Sequence, residues 1–103
     1  MPYNIQYLRS FQRDYDGIID YITLNLGAPG AAARLTEELF ETVDRVADFP
    51  YIYKLFIASR PLAVEYRTFA VGSYAVFYAV DEQTRTVRFY RMLYGRRDFD
   101  RLL

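Results

Sequence analysis

The chain opens with a rhythm of two. Tyr3, Ile5 and Tyr7 alternate with Asn4 and Gln6, the spacing of a strand with one face buried. From Ser10, a natural helix N-cap, the period lengthens. Phe11, Tyr15, Ile18, Ile22 and Leu26 recur at i, i+4, i+7, i+11 and i+15. They form one helical stripe, with Asp14, Asp16 and Asp20 off it. Gly27 ends this helix. Pro29 suits the first position of a second helix, where its missing N–H costs nothing. Ala32, Leu35, Leu39, Val43 and Val46 give its stripe, and Pro50 stops it. So short a link makes the two helices an antiparallel αα-hairpin.

Residues 51–61 read as a loop. Three β-rich runs follow, at residues 62–69, 74–80 and 86–93. The connections Val71-Gly72-Ser73 and Asp81-Glu82-Gln83-Thr84 are of hairpin length. The predicted architecture is α+β within a single domain over residues 1–103. An N-terminal strand precedes the αα-hairpin and then a three-stranded antiparallel meander. The first strand adds at an edge, and the helices pack on one face of the sheet. The tail from Arg97 to Leu103 reads as one charged helical turn.

Composition narrows the chemistry. The chain has 103 residues, of which 52% are hydrophobic and 25% charged, a globular profile. It has no Cys and no His, which excludes a disulfide framework, a thiolate zinc site and any His-based triad. No phosphate-cradling glycine motif occurs, and Glu37-Glu38 reads as a solvated helix face. No metal and no cofactor are expected. No apolar run approaches a membrane span, and Met1-Pro2-Tyr3-Asn4 is no signal peptide. The expected compartment is the cytoplasm.

The net charge is zero, but it is unevenly distributed. Residues 1–59 hold five basic and eight acidic side chains, and residues 60–103 hold eight and five. Lys54 is the only lysine, so the basic half is an arginine half. Arg67, Arg88, Arg91, Arg96 and Arg97 are interleaved with Tyr74, Tyr78, Tyr90 and Tyr94. That mixture serves a protein interface, a single-stranded RNA surface or plain strand packing. Strand parity puts Arg91 with Val87, Phe89 and Leu93 on the core side. A buried Arg91 needs a partner, for which Glu65 is one candidate, or a β-bulge must turn it outward.

Two stretches carry a family resemblance. Residues 67–78, Arg-Thr-Phe-Ala-Val-Gly-Ser-Tyr-Ala-Val-Phe-Tyr, resemble the pattern R-x-F-x-V-G-x-Y-x-x-F-Y of the RelE/ParE superfamily of bacterial toxins. Residues 91–99, Arg-Met-Leu-Tyr-Gly-Arg-Arg-Asp-Phe, resemble its closing R-V-L-H-x-x-R-D. Asp20-Tyr21-Ile22 and the Phe49-Pro50 stop also fit, so the resemblance spans nearly the whole chain. It implies the toxin of a type II toxin–antitoxin module, which arrests growth and is neutralised by a cognate antitoxin protein.

The superfamily implies two alternative activities. RelE-like members cleave mRNA on the ribosome, whereas ParE-like members inhibit DNA gyrase. RelE-like nucleases carry a basic residue directly after a Tyr on the second meander strand. Here Tyr74 is followed by Ala75, which cannot stabilise a phosphorane. Tyr94 stands where many relatives carry His. The sequence is therefore nearer to ParE, with gyrase as the expected target, and no catalytic residue is assigned. The alternative is an mRNA interferase built on Arg67, Arg91, Tyr94 and Arg96, with the ribosome and mRNA as partners. A third reading is an interaction module without toxicity. The expected target- or anion-binding set is Arg67, Tyr74, Arg88, Arg91, Tyr94, Arg96 and Arg97. The antitoxin is expected to touch Phe11, Tyr15, Arg88 and Tyr90, to cover the hairpin, and to add along a sheet edge. Its acidic stretch would anchor on the basic half.

Overall fold

A computed structural model describes residues 1–95 and 98–103. Strand β1 (Asn4–Tyr7) leads into helix α1 (Arg9–Asp20), which continues as a π-helical turn over Tyr21–Asn25. Helix α2 (Pro29–Asp48) returns, and β2 (Arg67–Val71), β3 (Tyr74–Asp81) and β4 (Thr86–Tyr94) form the meander. A short α3 (Phe99–Leu102) closes the chain. The sheet order is β1-β4-β3-β2, with β1 parallel to β4 and the other pairs antiparallel. The expected strand, hairpin and meander are all present, and β1 does take an edge.

The hairpin buries its stripe on one sheet face. Phe11, Ile22, Leu35, Leu39, Val43 and Val46 meet Phe69, Val71, Val76, Tyr78, Phe89 and Met92 there. Tyr78 is wholly buried, and its hydroxyl donates to the Pro50 carbonyl at 2.8 Å. The other sheet face has a smaller core of its own. Tyr66, Phe77 and Leu93 are covered by Phe56, Leu62, Val64 and the tail residues Phe99 and Leu102. The tail is therefore a cover as well as a charged turn.

Four local expectations need correction. Ser10 does not cap α1. Leu8 precedes the helix, and the Ser10 hydroxyl inside it donates to the Tyr90 carbonyl at 2.6 Å. Leu26 leaves the helical stripe and is 58% exposed, because the π turn shifts the phase of the last residues. The first meander run is a strand only from Arg67. Residues 62–66 are irregular, and Leu62 and Val64 pack on the far-face core instead. Finally, Val71 belongs to β2, paired with Tyr74, so the turn is Gly72-Ser73 alone. Gly72 supplies the positive φ of 56° that this turn requires.

Candidate functional site

The site is built where β1 ends. Beyond Phe89, strand β4 has lost its parallel neighbour, and α1 runs alongside in its place. Two α1 side chains four residues apart satisfy the exposed backbone. Ser10 takes the Tyr90 carbonyl, and Asp14 accepts the Met92 N–H at 3.0 Å. A bulge lies at the same point. Phe77 pairs with Arg91 but Tyr78 pairs with Phe89, so Tyr90 is the extra residue. One inserted residue reverses the parity of the strand beyond it. Val87 and Phe89 stay on the hairpin face, which Met92 now shares, while Leu93 joins the far-face core.

The bulge decides the fate of Arg91. Its guanidinium reaches Asp14 through Nε at 2.6 Å and Nη2 at 3.1 Å, and donates from Nη1 to the Leu102 carbonyl at 2.9 Å. Asp14, not Glu65, is its partner, and Glu65 is exposed. Both members of the pair are largely shielded, and the hydrogen bond to Asp14 raises the Arg91 pKa further. Arg91 thereby ties α1, β4 and the tail together.

Beside this tie lies a hollow of about 600 Å3, walled by α1, the π turn and the ends of β3 and β4. Arg13, Gly17, Tyr21, Tyr74 and Tyr94 line it with the Asp14–Arg91 pair. Tyr74 and Tyr94 meet edge to face at 6.0 Å. Burial raises the Tyr74 pKa, and the neighbouring Tyr21 and Tyr94 hydroxyls add to the shift. Tyr21 and Tyr94 are half exposed, at 50% and 44%.

A second hollow of about 400 Å3 includes Tyr51, Glu65, Arg67, Asp81, Glu82, Arg88 and Tyr90 in its lining. Arg67 donates to the Tyr53 carbonyl at 2.7 Å and lies 4.9 Å above the Tyr51 ring. Arg88 bridges Gln6 at 2.7 Å and Asp81 at 3.0 Å. That contact is the main reason the Asp81 carboxyl sits below its usual range. Tyr90 stands edge-on to Tyr66 at 5.2 Å.

The residues singled out from the sequence therefore separate. Tyr74, Arg91 and Tyr94 share the first hollow, and Arg67, Arg88 and Tyr90 share the second. Arg67 and Tyr94 are two strands and four register positions apart, about 16 Å. Phe11 is 2% exposed inside the hairpin core. Tyr15 is half-buried, hydrogen-bonded to Thr36 at 2.8 Å. Arg96 and Arg97 lie outside the described residues. Among the described residues no cluster of three carboxylates is placed to hold a metal ion. Nor is any helix among them long and apolar enough to cross a membrane. Sequence reasoning missed Asp14, Ser10, Gly17 and Tyr21. The signal for the first two was their i, i+4 spacing on a helix that directly follows a strand.

Solved structures share this architecture. The RelBE2 toxin–antitoxin complex of Mycobacterium tuberculosis aligns with a TM-score of 0.59 at 21% identity, over 91% of this chain and 99% of that one. The chromosomal ParDE system of P. aeruginosa aligns with a TM-score of 0.65 at 19% identity, over 89% and 95%. The archaeal RelE–RelB complex of Pyrococcus horikoshii aligns with a TM-score of 0.61 at 14% identity, over 94% and 99%. No curated protein matches in sequence. At these identities the structures speak for the fold. The family described as ParE toxin of type II toxin–antitoxin system, parDE, matches residues 5–99, from within β1 to the first residue of α3. The chain belongs to the ParE toxin family of type II toxin–antitoxin systems.

Proposed function

We propose that this toxin arrests growth by binding and inhibiting DNA gyrase in the cytoplasm, without cutting RNA, and that a cognate antitoxin neutralises it. One observation carries the reading: among the described residues, Arg67 lies in a different hollow from Arg91 and Tyr94, and Arg91 is already engaged by an ion pair. RNA cleavage by 2′-hydroxyl attack needs a base, a cation at the phosphorane and an acid around one phosphate. Arg91 is consumed by Asp14 and the Leu102 carbonyl. Arg67 donates to the Tyr53 carbonyl over the Tyr51 ring, in a different hollow from Tyr94, with their backbones about 16 Å apart by strand spacing. Ala75, at the position where RelE-like nucleases carry a basic side chain, pairs with Leu93 in mid-sheet and offers only a methyl group.

An aromatic hollow with tyrosine edges suits protein contact better than phosphoryl chemistry, because tyrosine brings large area at low entropy cost. The solved relatives, held in toxin–antitoxin complexes, support the antitoxin as partner. The test is DNA supercoiling by purified gyrase with this protein added. Supercoiling should fall at near-stoichiometric toxin, and Tyr94→Ala should weaken the effect about tenfold, the cost of a moderate contact residue. Unimpaired supercoiling, with ribosome-dependent cuts in mRNA, would turn the reading to the interferase. Harmless expression without antitoxin would turn it to an interaction module.

A further inference from the structure

Regular structure is broken three times around the hollow beside Arg91. Gly17 sits inside α1, where glycine is among the poorest helix formers. A Cβ there would meet nothing within 4 Å, so no packing requires the glycine. Its effect is to leave the α1 wall of the hollow bare. At Tyr21, α1 gives way to the π turn, and Tyr21 lines the hollow. On β4 the inserted Tyr90 sets the register that pairs Tyr94 with Tyr74. Departures from local rules gather at functional positions, π turns among them.

The polar groups of the hollow are of one kind. Tyr3, Tyr15, Tyr53 and Tyr78 each place the hydroxyl on a protein partner. The Tyr21, Tyr74 and Tyr94 hydroxyls meet none among the described residues, and none of them is a buried orphan. Burial and the neighbouring hydroxyls raise the Tyr74 pKa, so it keeps its proton at neutral pH. Arg13 lines the hollow and forms no ion pair with a described carboxylate. Asp14 is engaged by Arg91 and the Met92 N–H, and Asp20 lies outside the lining. The free groups are therefore three hydroxyls and one guanidinium, beside the apolar Ile18 and Met92. The volume falls within the range of about 300–1,000 Å3 usual for ligand sites. One free cation suits a carboxylate. A phosphate backbone is held by several.

We propose that this hollow receives a large apolar side chain of a partner protein, with an aspartate or glutamate beside it meeting Arg13 and the Tyr21 and Tyr94 hydroxyls. The inference rests on the reading of the chain as a toxin that acts by binding, and gives the chemistry that the target brings to the aromatic hollow. Gly17 is then a specificity-determining position, because its missing side chain is the space the partner occupies.

The test titrates isotopically labelled protein with acetyl-Gly-Glu-Phe-Glu-Gly amide, with its Lys-for-Glu counterpart and with a short oligothymidylate, followed by NMR. The Glu peptide should shift Gly17, Tyr21 and Tyr94. It should bind about tenfold more tightly than the Lys peptide at low salt, and Arg13→Glu should reverse that preference. The double variant Tyr21→Phe/Tyr94→Phe, which keeps both rings, should weaken the Glu peptide about tenfold. Gly17→Leu fills the hollow from a position with open space beside it. It should abolish peptide binding and gyrase inhibition while the urea midpoint holds or rises. No binding of the Glu peptide at millimolar concentration, equal binding of the two peptides, tighter binding of the oligothymidylate, or full binding by Gly17→Leu would each overturn the proposal. Gyrase inhibition kept in full by Gly17→Leu would also overturn it, and would leave the gyrase reading standing. Peptide binding that needs Gly17 and Arg13, by a toxin without effect on supercoiling, would support the hollow and remove gyrase as its target.

Discussion

At the residue scale, Asp14 does the most. One carboxylate holds Arg91 by two hydrogen bonds and the Met92 N–H by a third. Asp14→Ala strands a shielded guanidinium and a strand amide, and should cost about 2–3 kcal/mol in urea denaturation. Arg91→Ala should not add its full effect in the double variant, since the two share one interaction. Tyr78→Phe leaves the Pro50 carbonyl without its donor, and should cost about 1–2 kcal/mol. The Tyr78 hydroxyl, whose pKa burial pushes up to about 12, should ionise among the last in a spectrophotometric titration. Gly17 acts in the opposite direction. A Cβ there meets nothing within 4 Å, so Gly17→Ala should stabilise α1 by up to about 1 kcal/mol. Sequence reading found the arginines but not what they hold. Strand parity placed Arg91 on the core side, and only the inserted Tyr90 reverses it. Which carboxylate is near a guanidinium depends on how α1 lies on β4, and no spacing along the chain records that.

At the element scale, the regular parts were legible in the sequence; of the irregular ones only the bulge was, as one of two alternatives for Arg91. The stripes of α1 and α2 and the alternation in β3 and β4 are long enough to show their periods. The π turn, the bulge and the shortened β2 are each a single change of phase. Leu62 and Val64 look like strand positions because they are apolar, yet they serve as a flap over Phe77 and Leu93. The tail belongs to the same far-face core, with Phe99 against Phe77 at 4.9 Å. Phe99→Ala should therefore lower stability and expose that face, read as faster hydrogen exchange in β3 and β4 with the hairpin unaffected.

At the scale of the whole molecule, one sheet carries two cores of unequal size, and surface carboxylates tie its corners. Arg88 holds the Asp81 carboxyl below its usual range. The Tyr3 and Tyr51 hydroxyls do the same for Glu82, and the Ser59 hydroxyl and amide for Asp100. A carboxyl lowered by folding contributes stability that is present above its unfolded pKa, about 4. The contribution is lost as pH falls through the lower folded value. The melting temperature should therefore be level near neutrality and fall below about pH 4, and Asp81→Asn should reduce that fall. The central claim is that this toxin acts by binding gyrase. The most direct test is a pulse-label of cells in the first minutes after the toxin is induced without antitoxin, with DNA and protein synthesis followed in parallel. The account predicts that DNA synthesis falls first, with mRNA intact. An earlier fall in protein synthesis, with cut mRNA, would contradict it.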